Sequence, residues 1–397
     1  KLLHFHIGSQ ISDIKIIKDA LQEASQIFVE LAKLGAPMEY LDVGGGLGID
    51  YDGSKTSSDN STNYSLQNYA NDVVATIKDS CDQNHVKHPV IITESGRSIT
   101  SHCSVLIFNI LGKSNENYKI DIPELRGSSL IIKNLIETLN QLKLNSQNDL
   151  DLSKIIELWN DAKKFKEDSF NGFRLGFASL QERALAEKIH WACAKEIANI
   201  IEIEGIEHSD LKDINKILAS TYYANFSIFQ STPDTWAINQ VFPIIPIHRH
   251  KEKPLINATF ADLTCDSDGK LNNFINNGNV KTLLKLHELI DNQEYYIGIF
   301  LAGAYQEALS NLHNLFGNTN IIHIDINHNS YKISDMIKED SKTDVLKVFD
   351  YKSDDLVEMI RLKIESAISN GTLTIEESQK LLAQIETSLR NSTYLAS

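Results

Sequence analysis

Three short apolar runs, KLLHFHIG (1–8), EYLDV (39–43) and PVIITE (89–94), each stop on a glycine-bearing turn: HIGSQ, GGGLG and ESGR. Between the first two, Ile16, Ile17, Leu21, Ala24, Phe28 and Leu31 keep helical spacing, with Ser12 or Asp13 able to cap the start and Gly35 to stop the end. A polar Ser/Asp/Asn loop (52–65) and a second amphipathic stretch, about Leu66 to Cys81, precede the third run. Strand, helix, strand, helix, strand is the rhythm of a parallel α/β sheet or barrel. KLLHFHIG is therefore expected to be a buried strand. In such folds chemistry gathers at the carboxyl ends of the strands, where the three turns lie.

The rest of the chain has a different character. From Pro123 to about Gly205 the pattern is helical, in three segments near 128–144, 152–168 and 178–203, which predicts a helical insertion. Past Ser220, YYANFSIF, INQVFPIIPIH, LINATFADLTC and YYIGIFLAGAY are aromatic and β-branched runs cut by Pro, Asp and Gly. They predict a mostly antiparallel β domain, to which SVLIFNIL (104–111) contributes a strand. Asp354 to Leu395 reads as two amphipathic helices divided at Asn370-Gly371.

With 397 residues, 42% of them hydrophobic, the chain can build more than one core. Its 38 basic and 53 acidic residues give a net charge of −15, which repels phosphate backbones and anionic lipid and argues against nucleic-acid or membrane partners. No apolar stretch approaches the ~20 residues of a membrane span, and the N-terminus lacks a signal peptide's basic region and apolar core. A cytoplasmic location is expected, or a plastid one if an upstream transit segment exists. Cys81, Cys103, Cys193 and Cys265 form no CxxC and no metal-ligand spacing, the usage of a reducing compartment.

Gly44-Gly45-Gly46-Leu47-Gly48 lets backbone N–H groups turn toward an anion. It is not a dinucleotide fingerprint, because a GxGxxG starting at Gly44 would need glycine where Ile49 stands. Taken alone it is a tight structural turn or a phosphate cradle. Glu94-Ser95-Gly96-Arg97 adds a carboxylate, an open backbone and a planar cation, or else a Glu/Arg pair on a barrel rim. His4 reads as a satisfied core histidine, whereas His6 stands just before Gly8 and Ser9 at the strand end. Cys265 sits among Asp262, Asp266 and Asp268; carboxylates in that number should raise a thiol pKa and suit an acid rather than a resting nucleophile. The acidic run is otherwise a solvated turn or a weak cation loop. Tyr305, in GAYQE after a strand, presents a hydroxyl to a ligand or caps a core.

Taken in order, HIGSQ, DVGGGLGIDY, ESGRS, CDSDG and GAYQE resemble the fold-type III, alanine-racemase-like PLP-dependent decarboxylases. TYYANFSIFQSTPDTWAINQVFPIIPIHR, CDSDGK, GAYQEALSNLHNLFG and the helical insertion are similar to the biosynthetic arginine decarboxylases, the long form of bacteria and plants. The resemblance covers nearly the whole chain. It implies an α/β plus β fold: the C-terminal part of a PLP-binding (β/α)8 barrel (1–102), the first strand of the β domain (103–112), a helical insertion (113–217), the β domain (218–345) and a C-terminal helical segment (346–397).

The activity implied is decarboxylation of L-arginine to agmatine and CO2, feeding polyamine and spermidine biosynthesis, with pyridoxal 5'-phosphate and Mg2+ as cofactors and no identifiable Mg2+ ligands. His6 would stack on the PLP ring, Glu94 would pair with its pyridine nitrogen, and Ser9, Gly45, Gly46, Gly96, Arg97 and Tyr305 would surround the phosphate. Cys265 would return a proton to the substrate carbon after CO2 leaves, and Asp266 would face the basic end of the substrate. Both would reach across a dimer interface, so a homodimer or higher oligomer is expected. The lysine that holds the PLP aldehyde in this family has no match here, and only about three barrel strands precede the β domain. With no initiating Met, the chain is expected to be the C-terminal portion of a longer enzyme and inactive alone. The alternatives are decarboxylation of another amino acid such as diaminopimelate, whose distal anion Asp266 fits poorly, or a non-catalytic PLP-binding homologue.

Overall fold

The computed structural model describes residues 1–114, 129–145, 152–205, 208–328 and 330–395. Pro123 and residue 128, where the helical pattern and its first segment are expected to begin, lie outside them. The chain opens with β1 (Leu2–His4), α1 (Ile14–Lys33), β2 (Tyr40–Asp42), α2 (Leu66–Gln83), β3 (Val90–Ile92) and the short α3 (Gly96–Thr100). The strands pair in parallel in the order β1-β2-β3, with Leu41 between Leu3 and Ile91. Asp13 caps α1 by accepting from the Lys15 N–H, and Ser65 with Asn68 forms a reciprocal capping box on α2. Ile17, Leu21 and Phe28 of α1, with Val73 and Ile77 of α2, pack against Leu41 and Val43. Ile16 instead stays half-exposed.

The expectation of a buried strand over KLLHFHIG needs correction. β1 is only three residues long and half-exposed, and His4 lies at the surface rather than in the core. Among the described residues each of β1 and β3 has one strand neighbour, and in this sheet β2 alone is covered on both edges.

The β domain is built on β4 (Leu106–Lys113), which follows α3 in sequence. After it come three long helices, α4 (Leu130–Asn145), α5 (Leu152–Arg174) and α6 (Leu180–Glu204), and the single-turn α7 (Ile214–Ile217). β5 (Ser220–Ala224), the short α8 (Ile228–Ser231) and α9 (Pro233–Ala237), and β6 (Ile244–Pro246) return the chain to the sheet. β7 (Ile256–Ala261), β8 (Lys270–Leu271), β9 (Phe274–Asn276), β10 (Asn279–Lys281), β11 (Leu284–Leu286) and β12 (Tyr296–Ile299) follow. The main sheet runs β11-β7-β5-β4-β12-β6, with β8 also on β7; β5 and β7 are parallel and every other pair is antiparallel. Its core of Phe108, Tyr222, Phe226, Phe260 and Phe274 also takes in Ile49 and Tyr51, which come from the loop after the glycine turn. The glycine turn is thus tied to the β domain by buried side chains.

A hairpin of β13 (Ile321–Asn327) and β14 (Ser330–Ile337) pairs Ile322 with Met336, Ile324 with Ile333 and Ile326 with Tyr331 on one exposed face. The chain closes with α10 (Lys342–Val348), α11 (Ser353–Ser369) and α12 (Ile375–Arg390); the break between the last two falls at Asn370-Gly371, where Gly371 takes φ +68.

In the helical bundle, Ser179 and Glu182 form the capping box of α6, and Gly205 ends it in the left-handed conformation. Leu135 and Leu142 of α4, Ile155 and Trp159 of α5, and Ile189, Cys193 and Ile197 of α6 form its core. His190 is buried in the same core, its ring centroid 4.9 Å from that of Trp159 and its Nδ1 without a partner. Burial first, then Lys166 and Lys163, push its pKa down to about 4 from 6.5. A folded-state pKa below the unfolded value means that the neutral ring is favoured in the fold. That contribution is complete above the unfolded pKa and is lost as pH falls from about 6.5 toward 4. We predict that the bundle loses on the order of 3 kcal/mol of stability over that window. His190→Phe should flatten the acid limb of a denaturation-versus-pH series, and an unchanged limb would contradict the assignment.

Candidate active site

The ends of β1, β2 and β3 converge through their backbones. Phe5 N–H donates to the Asp42 carbonyl, Val43 N–H to Ile92, and Glu94 N–H to Gly44. Gly44, at φ +67, approaches the Phe5 carbonyl so closely that a Cβ there would lie 2.1 Å from its oxygen. Gly46, at φ +104, would bring a Cβ to 2.9 Å from the Gly8 oxygen. Only glycine allows the two turns to interlock in this way. Gln10 then stitches them side to side: its amide donates to the Ile49 carbonyl at 2.7 Å and accepts from the Ile49 N–H at 2.9 Å.

Gly45 lies between two of the candidate residues. A Cβ on it would lie 3.0 Å from the Glu94 carbonyl oxygen and 3.1 Å from the His6 ring. Its N–H donates to His6 Nδ1 at 3.1 Å, so the neutral imidazole carries its proton on Nε2. The Gly96 N–H, expected to be open, is instead given to the Glu94 carbonyl at 2.9 Å. The Gly46 N–H has no acceptor among the described residues.

Behind these groups lies a set of three ionisable side chains. His4 Nδ1 and Asp42 Oδ2 are 2.9 Å apart, and Asp42 Oδ1 accepts from the Gly44 N–H at 2.9 Å. Burial would raise the Asp42 carboxyl, but the Gly44 N–H and His4 hold it below the usual carboxylate range. Glu94 completes the set, with one ligand-type atom of each residue within 4.8 Å of the others. It is the one such group among the described residues. An imidazole in the set does not suit Mg2+, which prefers six oxygen ligands.

Arg97, in the first turn of α3, is 7% exposed and forms no ion pair with any carboxylate among the described residues. Its Nε and Nη2 donate to Ser9 Oγ at 3.3 and 3.2 Å, and Nη1 donates to the Tyr51 hydroxyl at 2.9 Å. Its guanidinium carbon stands 4.9 Å from the centroid of the Tyr305 ring. A guanidinium has five N–H groups, so these contacts leave one N–H free on each terminal nitrogen. Buried charge without a counter-charge is costly. The arrangement is suited to an anion with two oxygens to offer.

The β domain delivers Tyr305. Gly303 N–H donates to the Ser101 carbonyl, and a Cβ at Gly303 would lie 1.9 Å from the Thr100 oxygen, so the loop after β12 docks directly on α3. Tyr305 itself holds φ +68, an uncommon backbone for a non-glycine residue. Next to it Gln306 is buried, its Nε2 donating to Asp234 Oδ2 and to the Ala304 carbonyl, both at 2.8 Å.

Ser9 and Tyr305 therefore both meet Arg97, and His6, Gly45 and Glu94 form a second group. Cys265 and Asp266 share no hydrogen bond, ion pair or ring contact with either. Cys265 is exposed, its Sγ 3.7 Å from Asn314 Oδ1, and Asp266 lies 3.4 Å from His313 Nε2. The acidic run around them is a turn: buried Asp262 accepts from the N–H groups of Ile228 and Thr264 and from the Thr264 hydroxyl. Asp42 and Tyr51 are the two ends of DVGGGLGIDY, and the sequence alone assigns neither a site role. Their only signal is position, immediately after or before the glycine turn.

Residues 2–101 match the family model for the pyridoxal-binding domain of pyridoxal-dependent decarboxylases. That match and the fold set the layer of β1, β2 and β3 among the pyridoxal-binding domains of that class. Residues 127–215 match the arginine decarboxylase helical bundle domain, and residues 343–395 the arginine decarboxylase C-terminal helical extension. The chain is 68% identical over 396 residues to a biosynthetic arginine decarboxylase of Prochlorococcus marinus subsp. pastoris, covering 100% of this chain and 61% of that protein. It is 53% identical over 398 residues to the one of Parasynechococcus marenigrum, covering 100% of this chain and 62% of that protein. The crystal structure of the biosynthetic arginine decarboxylase from Campylobacter jejuni superposes with a TM-score of 0.84 at 31% identity, covering 100% of this chain and 63% of that one. Along its whole length the chain is similar to the biosynthetic arginine decarboxylases, and it spans about 61% of the length of the curated relatives it matches. No helix among the described residues is long and apolar enough to cross a membrane.

Two glycines separate close approach from mere backbone strain. Gly44→Ala adds a collision with a backbone oxygen at a left-handed φ and should cost on the order of 3 kcal/mol or more, together with cofactor binding. Gly53→Ala has a similar φ of +73 but nothing within 4 Å, and should cost only about 1 kcal/mol. Chemical denaturation of both variants checks this, and equal losses would contradict the interlocked turns.

Proposed function

We propose that this chain serves in the PLP-dependent decarboxylation of L-arginine to agmatine and CO2, the entry to polyamine and spermidine synthesis. The observation that carries the proposal is buried Arg97, with no carboxylate partner among the described residues and two N–H groups left over, at the convergence of three glycine-bearing turns. A phosphate would suit those two N–H groups in charge and geometry. Arginine as the substrate is favoured by the helical bundle and the C-terminal extension, both of which match models named for arginine decarboxylase.

Arg97 and Ser9 would hold the phosphate, with Tyr305 beneath the guanidinium and the Gly45, Gly46 and Gly96 backbone leaving room for it. His6, fixed by the Gly45 N–H, would lie against the ring face, and Glu94 would meet the ring nitrogen. When bound, PLP supplies an electron sink for the electrons released as CO2 departs. Glu94 would hold a proton at the ring nitrogen, with Asp42 and His4 behind it.

Cys265 would return a proton from Sγ to the substrate carbon, and Asp266 would meet the guanidinium of arginine. Cys265 is exposed and Asp266 half-buried, and neither shares a contact with the Arg97 group, which supports their acting in the site of a second copy in a homo-oligomer. A requirement for Mg2+ belongs to the same reading, with no residues assigned to it.

The test is agmatine release by the full-length polypeptide with PLP and Mg2+, run beside diaminopimelate, lysine and ornithine. Selective agmatine formation is expected, and no turnover of any of the four with PLP bound would overturn the proposal. Cys265→Ala should lower kcat by about a hundredfold or more. Asp266→Asn should chiefly raise KM for arginine, and an unchanged KM would remove Asp266 from the substrate site.

A further inference from the structure

Arg97 is held on three sides by different parts of the chain. Ser9, from the first turn, takes the Nε and Nη2 edge. Tyr305, from the β domain, underlies the face. Tyr51, from the loop after the glycine turn, takes Nη1 at 2.9 Å. Without Tyr51 the Nη1 end would have no partner among the described residues, and this is one of the two nitrogens whose remaining N–H would face an anion.

Tyr51 is itself firmly held. It is 2% exposed, and its ring meets Phe242 edge to face at 5.7 Å within the β-domain core. Its N–H donates to the Asn60 carbonyl at 2.9 Å. The Asn60 side chain then accepts from Gln240 Nε2 at 3.2 Å and from the Val241 N–H at 3.3 Å, next to Phe242. The loop is braced within as well: Ser61 Oγ donates to Asp50, and Ser58 Oγ to Asp52. The hydroxyl is the polar tip of a side chain otherwise committed to apolar packing. Its position is therefore set by the contact between the glycine-turn loop and the β domain.

We propose that Tyr51 is a positioning residue for phosphate recognition: its hydroxyl fixes the Arg97 guanidinium in the plane and direction that leave the Nη1 and Nη2 N–H groups aimed at the anion. This rests on the reading above that Arg97 takes the cofactor phosphate. It adds that phosphate affinity depends on the seating of the β domain against the glycine turn, through one phenol.

The experiment compares the affinities of the full-length polypeptide for PLP and for pyridoxal, which lacks the phosphate, in the parent, Tyr51→Phe and Arg97→Gln proteins. Thermal melting of each cofactor-free protein is measured alongside. Tyr51→Phe keeps the ring in its Phe242 contact and removes only the hydroxyl. It should weaken PLP binding about tenfold or more, as expected for losing a hydrogen bond to a charged group, and leave pyridoxal binding within about twofold. Arg97→Gln should abolish most of the preference for PLP over pyridoxal. If Arg97→Gln collapses that preference while Tyr51→Phe leaves it intact, the role of Tyr51 is overturned and the phosphate reading stands. If Arg97→Gln leaves the preference intact, the phosphate reading falls and the inference with it. If Tyr51→Phe weakens both ligands equally and lowers the melting temperature, Tyr51 acts through packing alone and the inference is overturned.

Discussion

The structure turns on an unbalanced charge. A guanidinium that is almost wholly buried, touching two hydroxyls and an aromatic face but no carboxylate among the described residues, is tolerated only where something negative completes it. Much of the surrounding backbone serves to hold Arg97 there. Three parallel strands end together, their turns interlock through glycines that admit no Cβ, and α3 begins where the third turn ends.

The second consequence concerns division of labour between domains. The parallel layer contributes Ser9 and Arg97, but the face and the far end of the guanidinium are set by the β domain: Tyr305 arrives on a loop docked at Gly303, and Tyr51 is packed on Phe242. Neither layer holds the cation alone. The site is therefore a product of domain docking, which explains why a tyrosine from the glycine-turn loop belongs to the hydrophobic core of another sheet.

The sequence made much of this legible, unevenly. Helical spacing located α1 and α2 because their apolar faces meet one core, and the glycine turns announced themselves because a Cβ would collide where their backbones approach. Burial of the first strand was misjudged: apolar residues in KLLHFHIG mark a strand, but the number of strand neighbours, which sets its exposure, is not encoded locally. His4 followed the same error; it pairs with Asp42, 38 positions away, a contact invisible to any local window. The β13–β14 hairpin falls inside the β domain expected over 218–345; IIHIDIN alternates as a strand does, but that alternation implies a buried face, and here the isoleucine face is exposed. Tyr51 was in plain view beside the glycines, yet only the fold shows that its ring and its hydroxyl serve two domains.

The most direct test is a crystal structure of the full-length polypeptide with PLP bound. The account predicts phosphate oxygens within hydrogen-bonding distance of Arg97 Nη1 and Nη2, with the contacts from Ser9 and Tyr51 retained and no carboxylate beside the guanidinium. A phosphate held elsewhere, or Arg97 turned onto an acidic side chain supplied by the rest of the polypeptide, would contradict it.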